Sequence, residues 1–175
     1  MRKLQNNELK RLSVEQFIHS KKQPIVVVLD NIRSALNVGA IFRLADCFLL
    51  EKIILCGITA CPPDKNINKV ALGSTESVKW EHESKIEDAV KKLKKKKYRI
   101  IAVEQVEKAT YLDKYDNNQT PIALIFGNEV NGVSQNIINI SDEVIEIPQF
   151  GTKHSLNISV SAGIVIWELW KKIKE

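Results

Sequence analysis

The stretch EIPQFGTKHSLNISVSAGIVIW, Glu146 to Trp167, decides how the rest of the chain is read. A short apolar strand (Val144, Ile145, Ile147) stops at Pro148 and a polar loop follows. Ser155-Leu156-Asn157 then opens a strongly apolar helix expected to run to Lys172. The Ser155 hydroxyl and the Asn157 amide stand at a helix N-terminus, beside backbone N–H groups that lack helical partners. Such a corner suits an anionic or strongly polar ligand. Taken alone, an S-x-N of this kind does no more than cap its helix, so its meaning depends on the stretches that fold around it.

Working outward, the same alternation of apolar strand and helix recurs. Pro24 introduces IVVVLD, ending at Asp30, a run of branched aliphatic residues suited to a strand buried on both faces. A turn is expected from Asn31 to Gly39, then a helix with Ala40, Ile41, Leu44, Ala45 and Phe48 on its buried side. KIILC (Lys52–Cys56) is the next strand, and Pro62-Pro63 marks a loop. A short helix from Ile67 to Leu72 and a short strand over Ser77–Glu81 follow. Ile86, Ala89, Val90 and Leu93 recur at helical spacing, and Tyr98–Glu104 (YRIIAVE) is again a strand. Glu107 to Thr120 reads as a turn-rich connection around Asp116-Asn117-Asn118. Pro121 opens the strand IALIF, and Ser134 caps a short helix to Ile140. The pattern is that of an α/β domain with a mainly parallel sheet and helices on both faces.

One hundred and seventy-five residues suffice for one ordinary domain. Residues 1–23 are expected to form an N-terminal arm and residues 24–175 the domain. No apolar run approaches the roughly 20 residues of a bilayer span, and MRKLQNNELKRLSVEQF lacks a signal-peptide core, so the expected compartment is the cytoplasm. The three cysteines form no C-x-x-C pair, and the three histidines lie far apart, so no metal site is expected. A net charge of +5 permits a polyanionic partner. Six lysines crowd into Lys91–Lys97. They read first as a solvated last helical turn favoured by the helix dipole, and second as a phosphate-contacting patch.

In a parallel sheet, ligands bind beyond the carboxyl ends of the strands, and three strand ends here carry unusual polar chemistry. The first holds Asn37-Val38-Gly39, where Gly39 would let a ligand backbone come close, with Arg43 following as a fork for a phosphate. The second is FGNEVNGVS, which sets Glu129 between Gly127 and Gly132 directly after a buried strand. The third is Pro148–Asn157. No G-x-G-x-x-G or P-loop occurs, which disfavours a dinucleotide-dependent reductase.

Together, N-V-G-A-I-F-R (Asn37–Arg43), F-G-N-E-x-x-G-V-S (Phe126–Ser134) and I-P-x-F-G-x-x-x-S-L-N-I-S-V (Ile147–Val160) resemble, in order and spacing, the three motifs of SpoU/TrmH-type RNA 2′-O-methyltransferases of the SPOUT superfamily. The resemblance implies a C-terminal trefoil knot, S-adenosylmethionine as cofactor, tRNA or rRNA as substrate, and a homodimer with active sites near its interface. Carried over by motif, backbone at Gly127, Ile147 and Leu156 would cradle the cofactor. Asn37, Arg43, Glu129, Ser155 and Asn157 would surround the reacting methyl and ribose. Arg43 would clamp a phosphate or act as the base, with Glu129 orienting Arg43 or Asn37. The apolar helix bearing Val160, Ile164, Trp167 and Trp170 would form the dimer face, with simple core burial as the alternative. Val130 replaces the small residue usual after the motif glutamate. Many members carry a separate N-terminal RNA-binding domain; here only the arm of residues 1–23 precedes Pro24, so RNA recognition is expected from the catalytic domain, the arm and the lysine helix. The competing expectation is a catalytically silent knotted module that holds RNA without modifying it.

Overall fold

The computed structural model describes residues 1–116 and 121–174. Seven strands, β1 (Gln23–Asp30), β2 (Leu50–Cys56), β3 (Trp80–Glu83), β4 (Arg99–Val103), β5 (Thr110–Tyr111), β6 (Ile122–Phe126) and β7 (Glu143–Glu146), form one sheet in the order β3-β2-β1-β6-β4-β7-β5. Every neighbouring pair is parallel. The helices are α1 (Val14–His19), α2 (Ala35–Cys47), α3 (Lys65–Ala71), α4 (Ser74–Ser77), α5 (Ile86–Lys95), α6 (Gln135–Ile140) and α7 (Ile158–Lys174).

The unbroken apolar run in β1 follows from its central place. Ile25, Val27 and Leu29 face a core shared with α2, α3 and α7, whereas Val26 and Val28 face a second core shared with α5 and α6. A strand covered on both faces has no polar side to alternate with. Register then positions the site. Leu29 pairs with Phe126, Ala102 with Ile125, and Val103 with Ile145. The carboxyl ends of β1, β6, β4 and β7 therefore lie level, and the loops leaving them emerge side by side.

Three boundaries differ from expectation. Helix α2 begins at Ala35, so Asn37 and Gly39 lie in its first turns and not in a preceding loop. The Ser34 hydroxyl accepts from the Asn37 amide at 3.3 Å, and a serine cap starts the helix earlier than the apolar pattern does. Residues expected in the strand over Ser77–Glu81 are divided. Ser77 ends the short helix α4, where it donates to Asp46, and pairing with β2 begins only at Trp80. Helix α7 begins at Ile158. Asn157 is its cap, its Oδ1 accepting from Ser159 N at 2.9 Å, while Ser155 and Leu156 remain in the exposed loop. The connection after Glu107 contributes the edge strand β5 and a 3-10 turn at Leu112–Lys114. Asn117 and Asn118 of its expected turn lie outside the described residues.

Of the apolar positions in residues 1–23, Phe17 is buried, while Leu4, Leu9 and Leu12 are exposed. Helix α5 joins the carboxyl end of β3 to the start of β4, so the lysine run ends at the sheet edge opposite the strand ends just described. Lys94 pairs with Asp142 there at 3.2 Å, whereas Lys92, earlier in the helix, pairs with Glu83 at the carboxyl end of β3.

Candidate active site

The loop after β6 closes on itself. Asn128 N donates to Gly132 O at 3.1 Å and Gly132 N to Asn128 O at 2.8 Å. A Cβ at Gly127 would stand 2.1 Å from the Gly132 carbonyl carbon, so this glycine is required by the loop's own return path. Gly132 has φ +64°, and a Cβ there would meet Glu104 Oε2 at 2.1 Å. Glu104, just past β4, accepts from Val133 N at 2.8 Å and from Gln105 N at 2.9 Å. Asn128 fixes the other side. Its Oδ1 accepts from Val130 N and Asn131 N, and its Nδ2 donates to Asn31 O at 2.7 Å.

From this braced loop Glu129 reaches the start of α2. Its carboxylate accepts from Arg33 N at 2.9 Å, Ser34 N at 3.0 Å and Asn37 Nδ2 at 3.2 Å. Two of these donors are amides at a helix N-terminus, where an anion is favoured. Partial burial pushes the Glu129 carboxyl up, but the bonds from Arg33, Ser34 and Asn37, with one from its own backbone amide, hold it below the usual carboxylate range. The chain continues from Asn37, whose Oδ1 accepts from Asn157 Nδ2 at 3.2 Å. All three strand-end stretches thus meet in one hydrogen-bonded line.

Beside this line lies a cavity of about 710 Å³, walled by the loops after β4, β6 and β7. Gly127, Glu129, Ile147, Ser155, Leu156 and Asn157 line it. Asn37 reaches the cavity wall through its bonds to Glu129 and Asn157. Arg43 does not line the cavity. It is exposed on the stripe of α2 that carries Leu36, and it makes no hydrogen bond or ion pair with a described residue.

One expectation about an individual residue needs correction. The backbone that approaches Gly39 is that of α3, since a Cβ there would stand 2.5 Å from Ile67 O; the glycine serves helix packing and not a ligand. Of the two partners expected for Glu129, it is bonded to Asn37 and not to Arg43. Glu104 and Asn128 went unremarked in the sequence, although both directly follow or nearly follow a buried strand. On α7, Val160, Ile164 and Trp167 are exposed, whereas Trp170 is half-buried, its ring 5.6 Å from Phe48. No group of side chains suited to holding a metal ion occurs among the described residues.

An all-parallel sheet with a polar cavity where its central strands end is the layout of an α/β enzyme domain. The chain matches the SpoU rRNA Methylase family over residues 24–167 and belongs to that family. It is 31% identical over 171 residues to a tRNA (guanosine(18)-2′-O)-methyltransferase of Aquifex aeolicus, which covers 95% of this chain and 77% of the relative. It is 30% identical over 160 residues to a 23S rRNA (guanosine-2′-O-)-methyltransferase RlmB of Blochmanniella floridana, covering 90% of this chain and 62% of that one. Among solved structures, the A. aeolicus TrmH/SpoU tRNA modifying enzyme is similar with a TM-score of 0.81 at 25% identity, over 92% of this chain and 81% of that one. An AdoMet-bound rRNA methyltransferase from Sinorhizobium meliloti gives 0.80 at 26% identity, over 88% of this chain. The alignment spans 58% of that longer chain.

Proposed function

We propose that this protein transfers a methyl group from S-adenosylmethionine to a ribose 2′-hydroxyl of tRNA or rRNA. The observation that carries the proposal is the line Glu129–Asn37–Asn157, which ties the three motifs together at the wall of one cavity. The cavity of about 710 Å³ falls within the roughly 300–1,000 Å³ of small-molecule and cofactor sites. Its walls offer backbone polar groups at Gly127, Ile147 and Leu156, in a loop too tightly closed to admit side chains at Gly127 or Gly132. These fit an adenosine-bearing ligand, and those three residues would hold it. When bound, the cofactor supplies a sulfonium methyl, an electrophile that needs no activation by the protein.

The chain's own residues then align the acceptor. The Ser155 hydroxyl and the Asn157 amide, exposed at the cavity wall, position the ribose. Glu129 is engaged by backbone and Asn37 donors and stays ionised, so it orients Asn37 instead of taking a proton. A guanidinium with a pKa above about 12 is a poor base near neutrality, so Arg43 acts as a phosphate clamp that also stabilises the developing alkoxide.

Arg43 lies outside the cavity of its own chain, on the exposed stripe of α2 that carries Leu36, and α7 exposes Val160, Ile164 and Trp167. These helices pack side by side, with Phe48 and Trp167 ring centroids 5.9 Å apart. A second copy of the chain covers this face, and the Arg43 of one copy serves the site of the other. The same reading gives the chain a C-terminal trefoil knot, a reading supported by the packing of α7 on α2 and by the likeness to SpoU-type structures. Residues 24–175 form the methyltransferase domain, residues 1–23 an arm beside it, and the protein works on RNA in the cytoplasm.

A thermal-shift series tests the site. S-adenosylmethionine and its demethylated product should raise the melting temperature and NAD should not. Stabilisation by NAD alone would contradict the assignment.

A further inference from the structure

Phe150 is 96% exposed. It sits in the loop between β7 and α7, and the two ends of that loop, Gln149 and His154–Asn157, line the cavity, while Phe150 to Lys153 are exposed and do not. A single exposed apolar side chain is ordinary; its surroundings here are not. No aspartate or glutamate occurs between Ile147 and Trp167. Lys153 makes no ion pair or hydrogen bond with a described residue. On the α2 side of the same site, exposed Arg33 spends its amide on Glu129, and its guanidinium has no partner among the described residues.

An exposed aromatic ring on a loop that carries a lysine without a partner among the described residues and no carboxylate has the composition that receives unpaired RNA. The ring takes a base face, and the cations take phosphates. The neighbours Gln149, Gly151 and Thr152 are not apolar, so the ring is not part of a larger greasy patch of the kind that Val160, Ile164 and Trp167 form on α7. Building on the methyl-transfer assignment above, we propose that Phe150 is a stacking platform for an unpaired base of the substrate RNA beside the target ribose, with Lys153 and Arg33 taking the adjoining phosphates. The substrate nucleotide then lies in a loop or otherwise open segment, because a base held in a duplex offers no free face to the ring.

The test uses the full-length protein with Phe150→Ala, Phe150→Trp and Lys153→Ala. Binding to total tRNA and to protein-free large-subunit rRNA is measured without turnover, beside cofactor affinity and sedimentation. Phe150→Ala should weaken RNA binding and raise the KM for RNA about 10-fold while leaving kcat and cofactor affinity within about two-fold. Phe150→Trp should restore binding. Lys153→Ala should reduce the salt dependence of binding by about one phosphate contact. Unchanged RNA affinity in Phe150→Ala would overturn the proposal. So would a fall in cofactor affinity, which would place the ring on the cofactor, or dissociation of an oligomer, which would place it on a second copy. RNA binding is read without catalysis, so a wild-type protein that binds RNA but transfers no methyl group would fail the assignment above and leave the stacking result interpretable.

Discussion

Asn157 donates a hydrogen bond to Asn37 at 3.2 Å across 120 residues of sequence. One amide at the cap of α7 is thereby held by another in the first turn of α2, which is itself held by Glu129 at the end of β6. Asn37 is the middle of this line and has no duplicate. Asn37→Ala should lower the methyl-transfer rate about 100-fold through lost alignment and cost about 1 kcal/mol of stability. Asn37→Asp should be worse, since it sets a carboxylate against Glu129. Single-turnover rates and melting temperatures check both.

The Glu129 carboxyl is held below its ordinary range in the fold. A depressed carboxylate contributes stability that is fully present above its unfolded pKa, about 4.3, and that disappears as pH falls through the lower folded value. The melting-temperature difference between wild type and Glu129→Gln should therefore be constant from about pH 6 to 8 and shrink below about pH 4. A difference that grows on acidification would contradict the hydrogen-bonding scheme.

Two helical glycines should answer oppositely to alanine. Gly39→Ala drives a methyl group to 2.5 Å from Ile67 O and should cost about 1–3 kcal/mol by forcing α2 and α3 apart. Gly163 in α7 has Leu44 Cδ2 at 3.7 Å as its nearest neighbour, so Gly163→Ala should gain up to about 0.5–1 kcal/mol from helix propensity. Denaturant midpoints of the two variants provide the comparison.

Arg43 is exposed and bonded to no described residue, so Arg43→Ala should leave folding and cofactor affinity unchanged while methyl transfer falls by about 100-fold or more. Ile164→Asp should separate the copies of a dimer and lower activity with them. Mixing inactive Arg43→Ala with a second variant inactive through Asn157 should restore part of the activity if the two copies share sites; no restoration would place Arg43 in its own chain's site.

The sheet was legible because its central strands are apolar on both faces: IVVVLD and IALIF admit few other readings, and β1 and β6 are the neighbours at its centre. The amphipathic helix α5 was equally plain from Ile86, Ala89, Val90 and Leu93. Boundaries set by side-chain caps were less so. Ser34 caps an α2 that begins five residues before its apolar pattern does, and Asn157 caps an α7 that begins three residues after Ser155. Of the candidate residues, the motif positions in the loops of β6 and β7 come together at one cavity, because strand register alone brings those loops level. Arg43 could not be placed from sequence, since which face of α2 meets α3 depends on the contact of Gly39 with Ile67. Glu104 was hidden for a similar reason: its partners, Val133 and Gly132, lie on a loop far along the chain.

The most direct test is methyl transfer from labelled S-adenosylmethionine to RNA of a strain lacking this protein, with the product nucleosides resolved by mass spectrometry. The predicted result is one new 2′-O-methylnucleoside, formed about 100-fold more slowly, or slower still, by Asn37→Ala or Arg43→Ala. A methyl group on a base, or no transfer to folded or unmodified RNA by protein that binds the cofactor, would contradict the assignment.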